Sequence, residues 1–317
     1  MDKFFLGVDT SNYTTSLCIS NGKNIISEQR QLLPVKDGEQ GLRQSEALFH
    51  HTKALPELCK RLFDCAKIDK TKIYAVGVSS KPRDAEGSYM PCFLAGVSFA
   101  TAISCALSVP LYEFSHQSGH ISAAAISGNC MDILDNDFIS FHVSGGTTEV
   151  LYVSSLKSGL KSKIIGGTKD LNAGQAIDRC GVAMGLHFPC GAEMDKLSLK
   201  SNKKFSPRIS VSDGYCNLSG LENICKKMIS DGENISDICK FTFSYIAKTL
   251  YKISENIRLE YPSLPILYAG GVMSNSHIRN ELSKIGNVHF ALPKYSCDNA
   301  LGISALACYK YNNNLMI

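Results

Sequence analysis

Phe138-Ile139-Ser140-Phe141-His142-Val143-Ser144-Gly145-Gly146-Thr147-Thr148-Glu149-Val150-Leu151-Tyr152-Val153 is an apolar run, a turn of small and hydroxylated residues, and a second apolar run. β-Branched and aromatic residues on both sides of a Gly-Gly turn predict two antiparallel strands. The pattern occurs a first time near the start of the chain, where Phe5 to Ile19 sets a Ser/Thr turn between two apolar runs. A second echo pairs Tyr74-Ala75-Val76-Gly77-Val78-Ser79-Ser80 with Tyr268-Ala269-Gly270-Gly271-Val272-Met273-Ser274, each a strand running into a small-residue turn. Two copies of a hairpin-plus-crossover unit predict a duplicated, two-lobed α/β fold with a cleft between its halves. We place the N-terminal lobe at residues 1–129 and the C-terminal lobe at 130–317, with the last helix free to pack back on the first lobe.

Outward from these repeats, Phe4–Asp9, Thr15–Ser20 and Ile25–Leu33 read as strands, the last two joined at Asn21-Gly22, a strong hairpin signal. Glu46–Asp64 has helical spacing, with Leu48, His51, Leu55, Leu58 and Leu62 along one side. Cys92 to Tyr112 carries no charge and is long enough to span a bilayer. Its Ser, Thr, Gly and Ala content, Pro110 and the lack of basic flanks instead indicate a buried helix followed by a buried strand. Later helices are expected over Asp170–Met184, Met194–Leu199, Ile238–Arg258, Ser276–Ile285 and Asn299–Tyr311, with another ending at Ser230 and an interior strand at Pro265–Ala269.

Composition narrows the class. The 317 residues are 44% hydrophobic and 20% charged, ordinary for a globular protein with ample core. A net charge of +4 permits a nucleic-acid partner without requiring one. Thirteen cysteines, an odd number with no Cys-x-x-Cys pair, exclude a plain disulfide framework and a zinc ribbon and suit a reducing cytoplasm. The apolar run at the N-terminus is too short for a secretory signal.

Two features carry chemistry. If Ser115 is an N-cap, His116 and His120 stand at i and i+4 on one helical face with Cβ atoms about 5–6 Å apart, near enough to share a metal ion. A third ligand must come from elsewhere, and Asp298 is the candidate carboxylate. No Glu lies between the histidines, which argues against a zinc protease. The second feature is the pair of glycine turns, Val143–Thr148 and Gly270-Gly271 ahead of Ser276. Their exposed N–H groups and hydroxyls suit phosphate oxygens, although either turn alone also reads as a tight hairpin.

The duplicated hairpin with two phosphate turns is similar to the actin, sugar-kinase and Hsp70 ATPase superfamily. A more specific match comes from ordered motifs: His116-x-x-x-His120, Val143–Thr148, Ala173-Gly174-Gln175-Ala176-Ile177-Asp178, Asn217–Leu221, Ala269–Asn275 and Cys297-Asp298-Asn299-Ala300. Together they span nearly the whole chain and resemble the tRNA threonylcarbamoyladenosine synthase family, formerly called glycoprotease or O-sialoglycoprotein endopeptidase. The resemblance implies a single divalent metal, iron or zinc, on His116, His120 and Asp298. It also implies an adenine-nucleotide pocket lined by His142, Val143, Ser144, Gly145, Gly146, Asp178, Gly191, Asp195 and Asn275. The implied reaction transfers a threonylcarbamoyl group from threonylcarbamoyl-AMP to the exocyclic amine of the adenosine beside a tRNA anticodon. Partner subunits and a cytoplasmic setting away from membranes are implied too. Where some archaeal relatives carry a tyrosine, this chain has His142, a better ligand for a first-row metal and a candidate fourth ligand.

The chain also departs from the family. Asn12-Tyr13-Thr14 replaces an acidic pair, Lys81–Glu86 replaces a Gly-Pro-Gly-type loop, Thr147 replaces a histidine, and Asp37–Glu46 replaces a Val-Pro-Glu segment. These changes keep open an alternative: a divergent nucleotide- and metal-binding paralogue with another acceptor or no turnover. A small-molecule kinase is a further reading, disfavoured because Ser144 stands where such kinases use a carboxylate base. Lys157, Lys161 and Lys163, with Lys196, Lys200, Lys203, Lys204 and Arg208, form either a phosphate-facing patch or solvated loops.

Overall fold

A computed structural model describes residues 3–11, 13–34, 42–292 and 299–313. Contacts divide the chain into two units, Met1–Met131 with Cys297–Ile317, and Asp132–Ser296. The first contains β1 (Phe4–Ser11), β2 (Thr14–Ser20), β3 (Ile25–Leu32), α1 (Gln44–Ala66), β4 (Ile73–Lys81), α2 (Phe93–Leu107), β5 (Leu111–Ser115) and α3 (His116–Ser127). The second contains β6 (Phe138–Val143), β7 (Thr148–Val153), β8 (Ser162–Thr168), α4 (Ala173–Ala183), α5 (Gly191–Ser198), β9 (Ser210–Ser212) and β10 (Tyr215–Asn217). It continues through α6 (Gly220–Ser230), α7 (Ile235–Glu260), β11 (Ile266–Ala269), α8 (Ser276–Ser283) and β12 (Val288–Phe290). The last helix, α9 (Asn299–Asn312), belongs to the first unit and packs on α3, β1 and β4.

The internal repeat is borne out strand for strand. The first sheet runs β3-β2-β1-β4-β5, with β1, β2 and β3 antiparallel and β1, β4 and β5 parallel. The second contains the same order and senses, β8-β7-β6-β11-β12, extended at the β8 edge by β10 and β9. β1 is the middle strand of its sheet and is buried from Phe4 to Thr10. That explains its near-continuous apolar sequence and singles out Asp9 as a carboxylate placed inside. One core gathers β1, β2 and β4 side chains against Ala54, Leu55, Leu58 and Leu62 of α1. The other gathers Phe141, Val143 and Tyr268 of its sheet with Phe243, Ile246, Leu250 and Ile253 of α7.

α2 has 15 residues, about 22 Å of helix, and no helix among the described residues is long and apolar enough to cross a membrane. The twelve described cysteines are all unbridged thiols. β8, β9, β10 and β12 lie outside the strands expected from sequence. β8 carries Lys163 and Gly166-Gly167, and β9, β10 and β12 have three residues each, too short to show a period.

Candidate functional site

The expected nucleotide-binding residues all lie in the second unit, on β6, the β6–β7 turn, α4, α5 and the cap of α8. Ser144 N–H donates to the Thr147 carbonyl at 2.8 Å, and Thr147 N–H donates to Ser144 Oγ at 3.1 Å, so the turn is braced from within. The start of α4 docks on it: Gly174 N–H reaches the Ser144 carbonyl at 3.1 Å, and Ala173 N–H reaches Thr148 Oγ1 at 2.9 Å. A Cβ on Gly174 would stand 2.7 Å from the Gly145 backbone, so the helix can approach only with glycine there. Further along α4, Asp178 Oδ1 accepts the Cys190 N–H at 2.8 Å and thereby ties α4 to the entry of α5, where Gly191 lies. Asn275 joins α5 to α8. Its Oδ1 caps α8 at Ile278 N–H, 2.9 Å away, and its Nδ2 donates to Asp195 Oδ1 at 2.6 Å. Burial pushes the Asp195 carboxyl above its ordinary pKa, and Lys240 offsets part of this.

Five glycines of this unit, Gly145, Gly146, Gly191, Gly220 and Gly271, have no described atom within 4 Å of the place a Cβ would occupy, and none has a positive φ. Gly220 opens α6, while the other four lie at the β6–β7 turn, at the start of α5 and after β11. Neither backbone conformation nor packing among the described residues calls for glycine at these positions. What glycine leaves there is room for a ligand to come close to the backbone, as a phosphate-bearing ligand would. His142 lies on β6, opposite Glu149 of β7 and beside Ala269 of β11.

In the first unit, Ser115 caps α3 as expected, its Oγ accepting the Ser118 N–H at 3.0 Å. The His116 and His120 rings then stand 4.6 Å apart between centroids, at 70°. Asp9 of β1 orients the first of these rings directly: its Oδ1 accepts from His116 Nδ1 at 2.9 Å. A carboxylate only accepts, so a ring proton sits on Nδ1, which leaves Nε2 as the ring nitrogen that would ligate a metal. Asp9 is 1% exposed and also receives the Ser79 hydroxyl. Burial pushes its carboxyl up, but His116, the Ser79 hydroxyl and His120 outweigh that and hold it at about 2.

The Lys81–Glu86 segment, a departure from the family pattern, braces this helix start. Asp84 Oδ2 accepts from Ser115 Oγ at 2.7 Å and from Ser118 Oγ at 2.9 Å, while Lys81 pairs with Asp84 at 3.1 Å. Gln117 N–H adds a bond to the Pro82 carbonyl at 3.1 Å.

Among the described residues no group of three or more His, Cys, Asp or Glu side chains is placed to hold a metal ion. The two imidazoles supply two donors of the expected set. Asp298 lies outside the described residues, as do Asn12 and residues 37–41 among the departures. The donor chemistry fits a first-row metal as far as it is described: two adjacent imidazoles, one oriented by a buried carboxylate. Sequence reading missed Asp9 and Asp84. The signal for Asp9 was a lone acid closing the apolar run Phe4-Phe5-Leu6-Gly7-Val8; Asp84 gave none that distinguishes it from any loop acid.

Two sheets of one topology, the second with an open glycine turn, define the actin, sugar-kinase and Hsp70-like ATPase fold. Solved structures agree at the level of fold. HypF in its phosphate- and nucleotide-bound form is 14% identical with a TM-score of 0.59, over 97% of this chain and 55% of that one. ROK hexokinase from Thermus thermophilus is 12% identical with a TM-score of 0.52, over 96% of this chain and 97% of that one.

The family is narrower than the fold. Residues 5–305 match the profile of the TsaD family, tRNA N6-adenosine threonylcarbamoyltransferase. The protein of that name from Thermosipho africanus is 30% identical over 326 residues, covering 96% of this chain and 93% of its own length. The one from Syntrophomonas wolfei is 28% identical over 330 residues, covering 98% and 94%. The chain belongs to the TsaD family, transferases of tRNA modification.

Proposed function

We propose that this protein transfers a threonylcarbamoyl group from threonylcarbamoyl-AMP to the exocyclic amine of the adenosine beside the tRNA anticodon. The observation that carries the adenylate half of this reading is the set of open glycines, Gly145, Gly146, Gly191 and Gly271, gathered in the unit that also joins Asp178, Asp195 and Asn275 to the turn elements. In this reading the Ser144–Thr147 turn takes the phosphate through backbone N–H groups and hydroxyls, and Asp178 and Asp195 accept from ribose hydroxyls. Asn275 orients Asp195 through the 2.6 Å bond while capping α8. The amine nitrogen bonds to the carbamoyl carbon, the bond from that carbon to the phosphate oxygen breaks, AMP leaves with the electron pair, and the amine gives up a proton.

His116, His120 and Asp298 would hold one divalent ion, iron or zinc, with Asp9 fixing the His116 tautomer. A bound metal supplies Lewis-acid polarisation and orientation of substrate oxygens. Partner subunits and a cytoplasmic setting follow from the same family reading.

The test is reconstitution of the full chain, with any subunits that copurify, using threonylcarbamoyl-AMP and unmodified tRNA, with the nucleoside product followed by mass spectrometry. Threonylcarbamoyladenosine in the tRNA is the expected result. Adenylate binding without modified tRNA would replace this function with that of a paralogue having another acceptor or no turnover.

A further inference from the structure

A groove of about 810 Å³ lies in the second unit between α7, α8 and the 201–206 loop, apart from the glycine turn. Five lysines line it, Lys203, Lys204, Lys240, Lys248 and Lys284, against one carboxylate, Glu281. They are not equivalent. Lys203 pairs with Glu233 and Asp237, each at 2.9 Å, and so fastens the loop to the start of α7. Lys284 pairs with Glu281 at 2.7 Å. Lys248 bonds only neutral oxygens, the Pro207 carbonyl at 2.8 Å and Ser206 Oγ at 3.1 Å, so its charge is uncompensated. The amines of Lys204 and Lys240 make no ion pair or hydrogen bond among the described residues, although the Lys240 amine lies within electrostatic reach of Asp195. Three positive charges of this groove therefore have no ion-pair partner among the described residues.

Their spacing indicates the ligand. Lys240 and Lys248 are two turns apart on α7, about 12 Å along its axis, a separation that suits successive phosphates of a polymer better than one small anion. Phe205 and Tyr251 bring aromatic rings into the same lining. Cations tracking a groove beside aromatic faces are what an RNA strand needs, charge for its backbone and flat surface for its bases.

We infer that this groove is a phosphate track for tRNA, with Lys204, Lys240 and Lys248 on the RNA backbone. The inference rests on the proposed function for its choice of tRNA. The loop lysines are thereby sorted: Lys203 holds the loop, and Lys204 holds the ligand.

The experiment is titration of the protein with unmodified tRNA by fluorescence anisotropy at several salt concentrations, alongside AMP binding by calorimetry. Lys204→Ala breaks no bond of the fold and is the cleanest reading, and Lys240→Ala and Lys248→Ala extend it. Each removal weakens tRNA binding several-fold and lowers the slope of log affinity against log salt by about 0.7–0.9. Lys204→Ala leaves AMP binding unchanged, whereas Lys240→Ala also removes a positive charge that acts on Asp195. Glu281→Gln removes the groove's carboxylate and tightens tRNA binding. Lys252→Ala, whose amine is held by Glu255 at 3.2 Å outside the groove, leaves it unchanged. Double and triple variants with wild-type affinity and salt slope would overturn the groove assignment while leaving the proposed function intact. A wild-type protein that neither binds nor modifies tRNA would remove both.

Discussion

At the β6–β7 turn, the choice between glycine and alanine separates folding from binding. Gly145 has open space where a Cβ would stand and no positive φ, so Gly145→Ala should leave thermal stability within about 0.5 kcal/mol of wild type. On the adenylate reading it should weaken AMP binding at least tenfold, because the methyl group takes the phosphate's place. Gly174→Ala is the contrasting variant. Its Cβ would meet the Gly145 backbone at 2.7 Å, so it should lose both binding and about 1–3 kcal/mol of stability. Calorimetry with AMP and thermal unfolding of the two variants decide the matter. A Gly145→Ala protein that binds AMP as wild type would move the phosphate elsewhere. Asp9 shows the limit of reading single residues from sequence: an acid at the end of a strand reads as an exit to solvent, and only the β1–β4 register puts Ser79 beside it and α3 above it.

Among the elements, the legible ones were those with long periods or strong punctuation. α1, α2, α7 and the β1–β2 and β6–β7 hairpins follow from apolar spacing and turn residues, and their repetition gave the architecture. β8 was hidden because Gly166 and Gly167 lie where strand formers are expected. Pairing with β7 on one side and with β10, remote in sequence, on the other holds it in place. The start of α3 was legible from Ser115, but the Asp84 brace was not, since it joins residues about thirty positions apart. On the proposed metal assignment, Asp84→Ala should loosen the first turn of α3 and weaken divalent-metal affinity by about tenfold, a typical cost for a residue that orients ligands indirectly. Chelator competition followed by metal analysis reads the effect. Asp84→Ala with wild-type metal affinity would make the brace a feature of stability alone.

For the molecule as a whole, histidines in both units whose pKa burial lowers make acid the destabilising direction. His51 is fully buried in the first unit, with Nδ1 2.8 Å from Thr15 Oγ1, and burial pushes its pKa down to about 4. Above an unfolded value near 6.5 the folded and unfolded states carry the same charge at His51. Between about 6.5 and 4 the unfolded chain takes up a proton that the folded chain refuses, so stability falls as pH falls, by at most about 3 kcal/mol in all. In the second unit, Asp170 works at lower pH. Burial pushes its carboxyl up, but the Ser219 hydroxyl and the N–H groups of Leu218, Leu171 and Ser219 pull it well below the carboxylate range. A group with a depressed carboxylate pKa gives up its stabilisation only as pH drops below its unfolded value, near 3.9. Urea unfolding at pH 7, 5.5 and 4.5 should therefore show the first unit's transition moving to lower urea. His277 of the second unit, also held below its ordinary value by burial, adds a loss of the same sign there. His51→Gln should flatten the first unit's dependence. Persistence of the full pH dependence in His51→Gln would place the acid sensitivity of the first unit on another group.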